Sequence, residues 1–324
     1  MPTMRAGIAT ADGVAFHSDI PRPAPAAGQV LVRVSDAGLN HADLNSARLT
    51  ANTPFTIVGQ EWAGEIVEVG SGVTNVKAGD HVMCFGRNGG YAEYAVTEAG
   101  WVMRFNPREL KTEQAAVLPL ALLTAHDALV TRGQLQSGQS VLVQGASSAV
   151  GMMTLQVARL KGASLVVGTS RDAEKYPKLQ AMGATLMLNS STPDWADKLL
   201  EATSNKGVDV VVDFVSGPTV NGSIKAMAVL GRMVNVGRLG GATAEFNFDQ
   251  HAAKRINYIG VTFRTRTTEE ISDIVTKVQA DLAPAIRDGR LALPIDRTFK
   301  LEDAAAAHAL MSSNGQFGKI VLSI

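Results

Sequence analysis

Cysteine is almost missing from this 324-residue sequence, in which Cys84 stands alone. One thiol excludes an intramolecular disulfide and any zinc or iron–sulfur centre built from several cysteines of the chain, and it fits a reducing compartment. Net charge is missing too: 30 Lys plus Arg balance 30 Asp plus Glu. Composition therefore offers no general attraction to nucleic acid or to an anionic membrane. Aromatic residues are few, at 5%. With no signal-like start and no apolar run near 18 residues, the expected location is the cytoplasm, with no membrane partner. Glycine is what the chain has in excess: 31 residues, about 10% against a usual ~7%. Tight turns and close backbone approaches follow from that excess. At roughly 150 residues per domain, the length argues for two domains.

The first third reads as β-rich. Short apolar segments such as Val30–Val34, Glu65–Val69 and Tyr91–Val96 are separated by Gly, Asp and Pro, which are strand and turn signals. From about Thr112 the pattern becomes strands alternating with helical stretches: Val141-Leu-Val-Gln, Val150–Lys161, Leu165-Val-Val-Gly168, Ala173–Ala181, Leu186-Met-Leu, Asp194–Ala202, Val208–Phe214, Ser223–Ala228 and Met233–Val236. Repeated βαβ units predict a doubly wound parallel sheet, so the fold class is α/β. A β-like run at Asn257–Phe263, a helix over Thr268–Asp288, a strand near Thr298, an Ala-rich helix over Glu302–Met311 and the run Lys319–Leu322 close the chain.

Between the first such strand and its helix lies Gly145-Ala-Ser-Ser-Ala-Val-Gly151. Small residues there let backbone N–H groups and a helix N-terminus approach a pyrophosphate. Ala146, Ser147, Ser148, Ala149, Val150 and Gly151 are the candidate phosphate loop, with Ala146 and Ser148 at the first two glycine positions of the strict motif and Gly151 keeping the third. A tight βα turn without ligand is the other reading of this segment. In an NAD site an acidic residue about 20 positions further on holds the ribose 2′-hydroxyl. Here Gly168 leads instead to Ser170, Arg171 and Lys175, which suit a 2′-phosphate, with Asp172 between them. The expected cofactor is NADPH.

Three ordered blocks then carry a resemblance: Gly38-Leu-Asn40-His-Ala-Asp43; Gly59-Gln60-Glu61-Trp-Ala-Gly-Glu-Ile-Val-Glu-Val-Gly with Lys77-Ala-Gly-Asp80; and Gly138–Arg159, where Ser148-Ala149 replaces a Gly-Gly pair. Over essentially its whole length the chain resembles the medium-chain dehydrogenase/reductase superfamily, specifically its zinc-free quinone oxidoreductase branch, also known from zeta-crystallin. The resemblance implies a GroES-like β-rich domain, residues 1–118 with 265–324, around an inserted Rossmann domain, residues 119–264, with the active site between them. Where the family's alcohol dehydrogenases hold catalytic zinc with Cys, His and Cys, this sequence has Asn40, Gln60 and Leu120. Ala42 replaces their proton-passing hydroxyl residue, and the four-cysteine loop between Phe85 and Tyr94 is missing. No metal is expected.

The same resemblance places Asn40, Asp43 and Thr124 at the reacting centre, and Gln60 and Glu61 with Asn40 in the substrate pocket. Plain structural roles are the alternative for each. It places Asn189, Phe214, Val215, Gly237, Arg238, Leu239, Thr262, Phe263 and Arg264 along the cofactor. Without a Lewis acid for an alkoxide, the chemistry implied is hydride transfer from NADPH to a small electrophile that tolerates negative charge. A quinone comes first, and an ene-reductase acting on α,β-unsaturated carbonyls is the alternative. A crystallin-like protein that binds NADPH without turnover is a third reading. The segment between Ala47 and Ile57 lacks the Tyr that relatives often hold over the substrate. The run Asn257–Phe263 resembles the strand by which family members pair into homodimers.

Overall fold

The computed structural model of the chain describes residues 2–11, 13–53 and 55–324. They form two compact units, Met1–Leu120 with Thr267–Ile324 and Ala121–Arg266. In chain order the strands of the first unit are β1 (Thr3–Thr10), β2 (Gly13–Pro21), β3 (Gln29–Gly38), β4 (Glu61–Val69), β5 (His81–Phe85), β6 (Tyr94–Glu98) and β7 (Val102–Arg104). The second unit carries β8 (Ser140–Gln144), β9 (Leu165–Thr169), β10 (Leu186–Leu188), β11 (Val208–Asp213), β12 (Met227–Asn235) and β13 (Asn257–Gly260). The chain then returns to the first unit with β14 (Ile295–Lys300) and β15 (Lys319–Ser323). Helices are α1 (His41–Thr50), α2 (Thr112–Ala115), α3 (Pro119–His126), α4 (Ala149–Leu160), α5 (Tyr176–Ala181), α6 (Trp195–Ala202), α7 (Val220–Ala226), α8 (Phe248–Lys254), α9 (Thr268–Arg287) and α10 (Ala304–Ser313).

The first unit is built on a seven-stranded sheet in the order β14-β15-β3-β4-β5-β7, with β6 also on β3, beside the β1–β2 hairpin. β3 and β4 alternate apolar residues into a core that holds Val30, Val32, Trp62, Ile66, Val82 and Ile320. C-terminal β15 runs antiparallel to β3, pairing Val321 with Gly38. This places the end of the sequence against the strand that leads into α1.

The second unit is an all-parallel six-stranded sheet, β10-β9-β8-β11-β12-β13. Its central strands are continuous apolar runs, as strands covered on both faces must be. Val141, Leu142, Val143, Val210, Val211 and Val212 are all fully buried. Here the sequence expectation of a doubly wound sheet holds. Two elements differ from it. β12 begins at Met227 rather than near Met233, because a register shift against β11 absorbs the turn-like residues Leu230 (φ 64°) and Gly231. β13 ends at Gly260, although the Val261 N–H still reaches the carbonyl of Asn235.

Among the described residues one helical stretch, Thr112–Arg132, is long and apolar enough to cross a membrane, and 78% of its apolar window is buried inside the protein. The reading of the sequence as free of such a run is corrected to that extent. The stretch is core helix.

Candidate active site

Asn40 sits at the junction of β3 and α1 with extended backbone (φ −135°, ψ 150°), and its N–H donates to Asp43 Oδ2 at 2.8 Å. The reach back from the third helical position to the cap is half of a capping box. The Asn40 side chain, 8% exposed, donates from Nδ2 to Glu61 Oε1 (2.9 Å) and accepts at Oδ1 from Lys319 Nζ (2.8 Å). Lys319 also donates to Glu61 Oε1 (2.5 Å) and to the carbonyl of Leu39 (2.6 Å). Glu61 Oε2 takes the backbone N–H of Leu120 at 2.8 Å. Glu61 and Lys319 are thus a fully buried ion pair with every polar atom engaged. Such a pair holds only when satisfied, and removing one partner costs about 3–5 kcal/mol.

Asp43 lies just beneath. Its Oδ2 also accepts from the Tyr91 hydroxyl at 2.9 Å, while its Oδ1 has no hydrogen-bond partner. Burial pushes the Asp43 carboxyl up to about 7, against the lowering pull of the Asn40 N–H, the Tyr91 hydroxyl and Lys319. Burial, with Lys319 nearby, pulls His41 down. The Tyr91 ring meets His308 edge-on, and burial lowers His308 to about 4. Gln60 is half-buried and gives its carbonyl to the Gly86 N–H. Among the described residues, no group of three or more His, Cys, Asp or Glu side chains could hold a metal ion. Two of the three positions compared with zinc ligands take other duties: Asn40 is an amide in an ion-pair network, and Leu120 offers a main-chain N–H.

In the second unit the candidate phosphate loop follows β8. Gly145 turns with φ 78°, and its N–H and that of Ala146 are taken by Thr169 Oγ1 (3.0 Å) and the Thr169 carbonyl (2.9 Å). Ser148 is the N-cap of α4, accepting from the Gly151 N–H at 3.1 Å and donating to the Gly145 carbonyl at 2.9 Å. Its hydroxyl is spent on the turn. The N–H groups of Ala149 and Val150, in the first helical turn, have no intrahelical acceptor. A Cβ on Gly151 would stand 2.4 Å from the Gly145 carbonyl oxygen, so glycine is what lets α4 lie this close to the loop. Gly168 serves the same packing from β9, where a Cβ would stand 3.0 Å from that of Ala146.

Ser170 is nearly buried, and its hydroxyl closes a local turn by accepting from the Asp172 N–H at 3.2 Å. Arg171 is exposed, and Lys175 Nζ lies 3.7 Å from Asp172 Oδ2. Asn189 follows β10, its Oδ1 accepting from the Ser191 N–H. Phe214 is buried after β11, Gly237 packs on its carbonyl, and Leu239 is 59% exposed. Arg238 donates to Asn235 Oδ1 at 3.1 Å and, with Ser216, Gly217 and Tyr258, lines a cavity of about 150 Å³. Thr262 Oγ1 accepts from the Arg264 N–H, and Phe263 lies under the Arg266 guanidinium. Thr124 is buried on α3.

Three residues escaped the sequence reading. Lys319 is buried at 2% exposure, and the signal for it was a lone cation in the apolar run Gly318-Lys-Ile-Val-Leu. Asp213 ends β11 and holds the following turn by accepting from the Val215 and Ser216 N–H groups. Arg266 fastens residues 262–266 by donating to Asp127 Oδ2 at 2.5 Å. Asp127 opens a π-helical turn, Asp127–Arg132; such turns are frequent at functional sites.

Residues 26–107 match the alcohol dehydrogenase GroES-like domain, and residues 149–279 match the zinc-binding dehydrogenase family. The Rattus norvegicus quinone oxidoreductase is 33% identical over 95% of this chain and 92% of its own. The solved Pseudomonas syringae pv. Tomato quinone oxidoreductase superposes with a TM-score of 0.87 at 28% identity, over 100% of both chains. The CurK enoyl reductase does so with 0.83 at 26% identity, over 99% of each. This chain is an oxidoreductase belonging to the quinone oxidoreductase branch of the medium-chain dehydrogenase/reductase superfamily.

Proposed function

We propose that the chain transfers hydride from NADPH to a quinone, without a metal. The observation that carries this reading is the Asn40 amide. It is buried, keeps one N–H unengaged among the described residues, and occupies a position compared with a zinc ligand, in a set completed by Gln60 and Leu120. A quinone oxygen that gains charge needs an oriented hydrogen-bond donor rather than a Lewis acid. Asn40 donates to that oxygen.

The second unit supports a dinucleotide. Gly151 admits close approach, and the Ala149 and Val150 N–H groups provide the anion-binding helix terminus. Arg171 and Lys175 receive the 2′-phosphate, Asn189, Phe214, Val215 and Gly237–Leu239 flank the cofactor, and Thr124 and Thr262–Arg264 line its nicotinamide half. NADPH bound there supplies the hydride. The protein acts as a homodimer joined through β13, whose exposed edge such pairing would cover.

The test is initial rate across quinones, enones and aldehydes with each reduced cofactor. Quinone turnover with NADPH favoured over NADH is expected. Product from cyclohexenone or a 2-enal without quinone activity would transfer the reading to an enone reductase, which the likeness to the enoyl reductase favours. Binding without turnover of any acceptor would overturn both.

A further inference from the structure

We propose that Lys319 is the positioning residue that sets which way the Asn40 amide points, and so makes Asn40 a donor to the acceptor oxygen. The inference rests on the reductase reading above.

An ammonium has three N–H bonds and nothing to accept with. Lys319 uses all three, on the Leu39 carbonyl, Asn40 Oδ1 and Glu61 Oε1. A carboxamide can rotate by 180° and exchange its oxygen for its NH2 group with little change of shape. In this site the exchange would set two donors against each other at Lys319 and two acceptors against each other at Glu61. Opposite charges therefore grip the two ends of one amide, and both charged side chains are at most 2% exposed. One N–H of Nδ2 is held by Glu61, which leaves the other as the group available to a ligand. The ammonium also draws electron density through Oδ1, which strengthens the remaining N–H as a donor. The chain brings Lys319 here from 279 positions away, through the pairing of β15 with β3.

Lys319→Met alone strands a buried carboxylate and can unfold the chain, so the informative variant is Glu61→Gln with Lys319→Met, which removes both charges. Reduced-cofactor affinity by fluorescence titration and the far-ultraviolet spectrum report whether the site is otherwise intact. With affinity unchanged, kcat for the quinone is expected to fall about 100-fold, the scale of a mispositioned reacting group. Adding Asn40→Ala to that variant is expected to lower kcat less than twofold further, because residues acting through one group are not additive. Losses that multiply in the triple variant, or an unchanged kcat in the double, would overturn the role of Lys319 while leaving the reductase reading standing. A wild-type enzyme that turned over no acceptor would instead refute the reductase reading, before any variant is compared.

Discussion

Replacing Gly151 by Ala tests the phosphate loop at its tightest point. The added Cβ would meet the Gly145 carbonyl oxygen at 2.4 Å, Ala146 Cα at 2.8 Å and Ala146 C at 2.9 Å. All three are backbone atoms, so no side chain can swing away. Restoring ordinary contact near 3.5 Å requires the start of α4 to move by roughly 1 Å. Overpacking of this kind costs about 1–3 kcal/mol, and an all-backbone clash belongs at the upper end. In a unit of this size about 3 kcal/mol lowers the melting temperature by roughly 6–12 °C. The Ala149 and Val150 N–H groups move with the helix. Losing one charge-assisted bond to a phosphate, about 1.5–3 kcal/mol, weakens NADPH binding roughly tenfold or more. Thermal unfolding with and without NADPH, together with a fluorescence titration, measures both. A Gly151→Ala protein that melts and binds like wild type would refute the packing argument. A lower melting temperature with unchanged affinity would remove the cofactor from this loop.

Arg171→Ala with Lys175→Ala is expected to lower the NADPH-to-NADH ratio of kcat/KM roughly 100-fold or more, since two charge-assisted contacts of ~1.5–3 kcal/mol each are lost; Arg171 carries the larger share because Lys175 lies beside Asp172. Asp43 and His308 oppose each other in the pH dependence of stability. With its folded value raised to about 7 from 3.8, Asp43 contributes stability at acid pH that is lost as pH rises through 7; with its value lowered to about 4 from 6.5, His308 contributes stability above 6.5 that is lost as pH falls through 4. Urea unfolding between pH 4 and pH 7 should therefore show stability rising more steeply with pH in Asp43→Asn, and less steeply or falling in His308→Gln; parallel profiles for all three proteins would contradict both shifts. Dialysis against a chelator should leave activity unchanged, and stoichiometric zinc in active protein would contradict the proposal of metal-free transfer. Sedimentation at micromolar concentration should show a dimer, and Tyr258→Pro, which removes an N–H from the free edge of β13 and leaves the ladder to β12 intact, should shift it towards monomer.

Local features of the sequence were enough for the parallel sheet and its glycine loop. Unbroken apolar runs such as Val141-Leu-Val and Val210-Val-Val occur where a strand is covered on both faces. Small residues between β8 and α4 announced a close backbone approach, and Gly151 shows its steric cause. Both signals are short-range and survive in one dimension. Residue type also carried the argument against a metal centre, because Asn40, Gln60 and Leu120 are poor ligands wherever they lie.

What composes the site chemically could not be read along the chain. Glu61 was grouped with Asn40 by resemblance alone, and nothing along the chain showed that its carboxylate also meets Leu120 and Lys319. That the Ser148 hydroxyl, within the candidate phosphate loop, caps α4 and closes the turn onto Gly145 was visible only once the turn was built. The near-absence of cysteine first excluded disulfides and cysteine-built metal centres, and by itself said nothing of what holds the Asn40 amide instead. That was decided when β15 paired with β3 and carried a lysine into the interior. There, low dielectric makes an unpaired charge too costly to keep, and forces it onto the Glu61 carboxylate and the Asn40 amide.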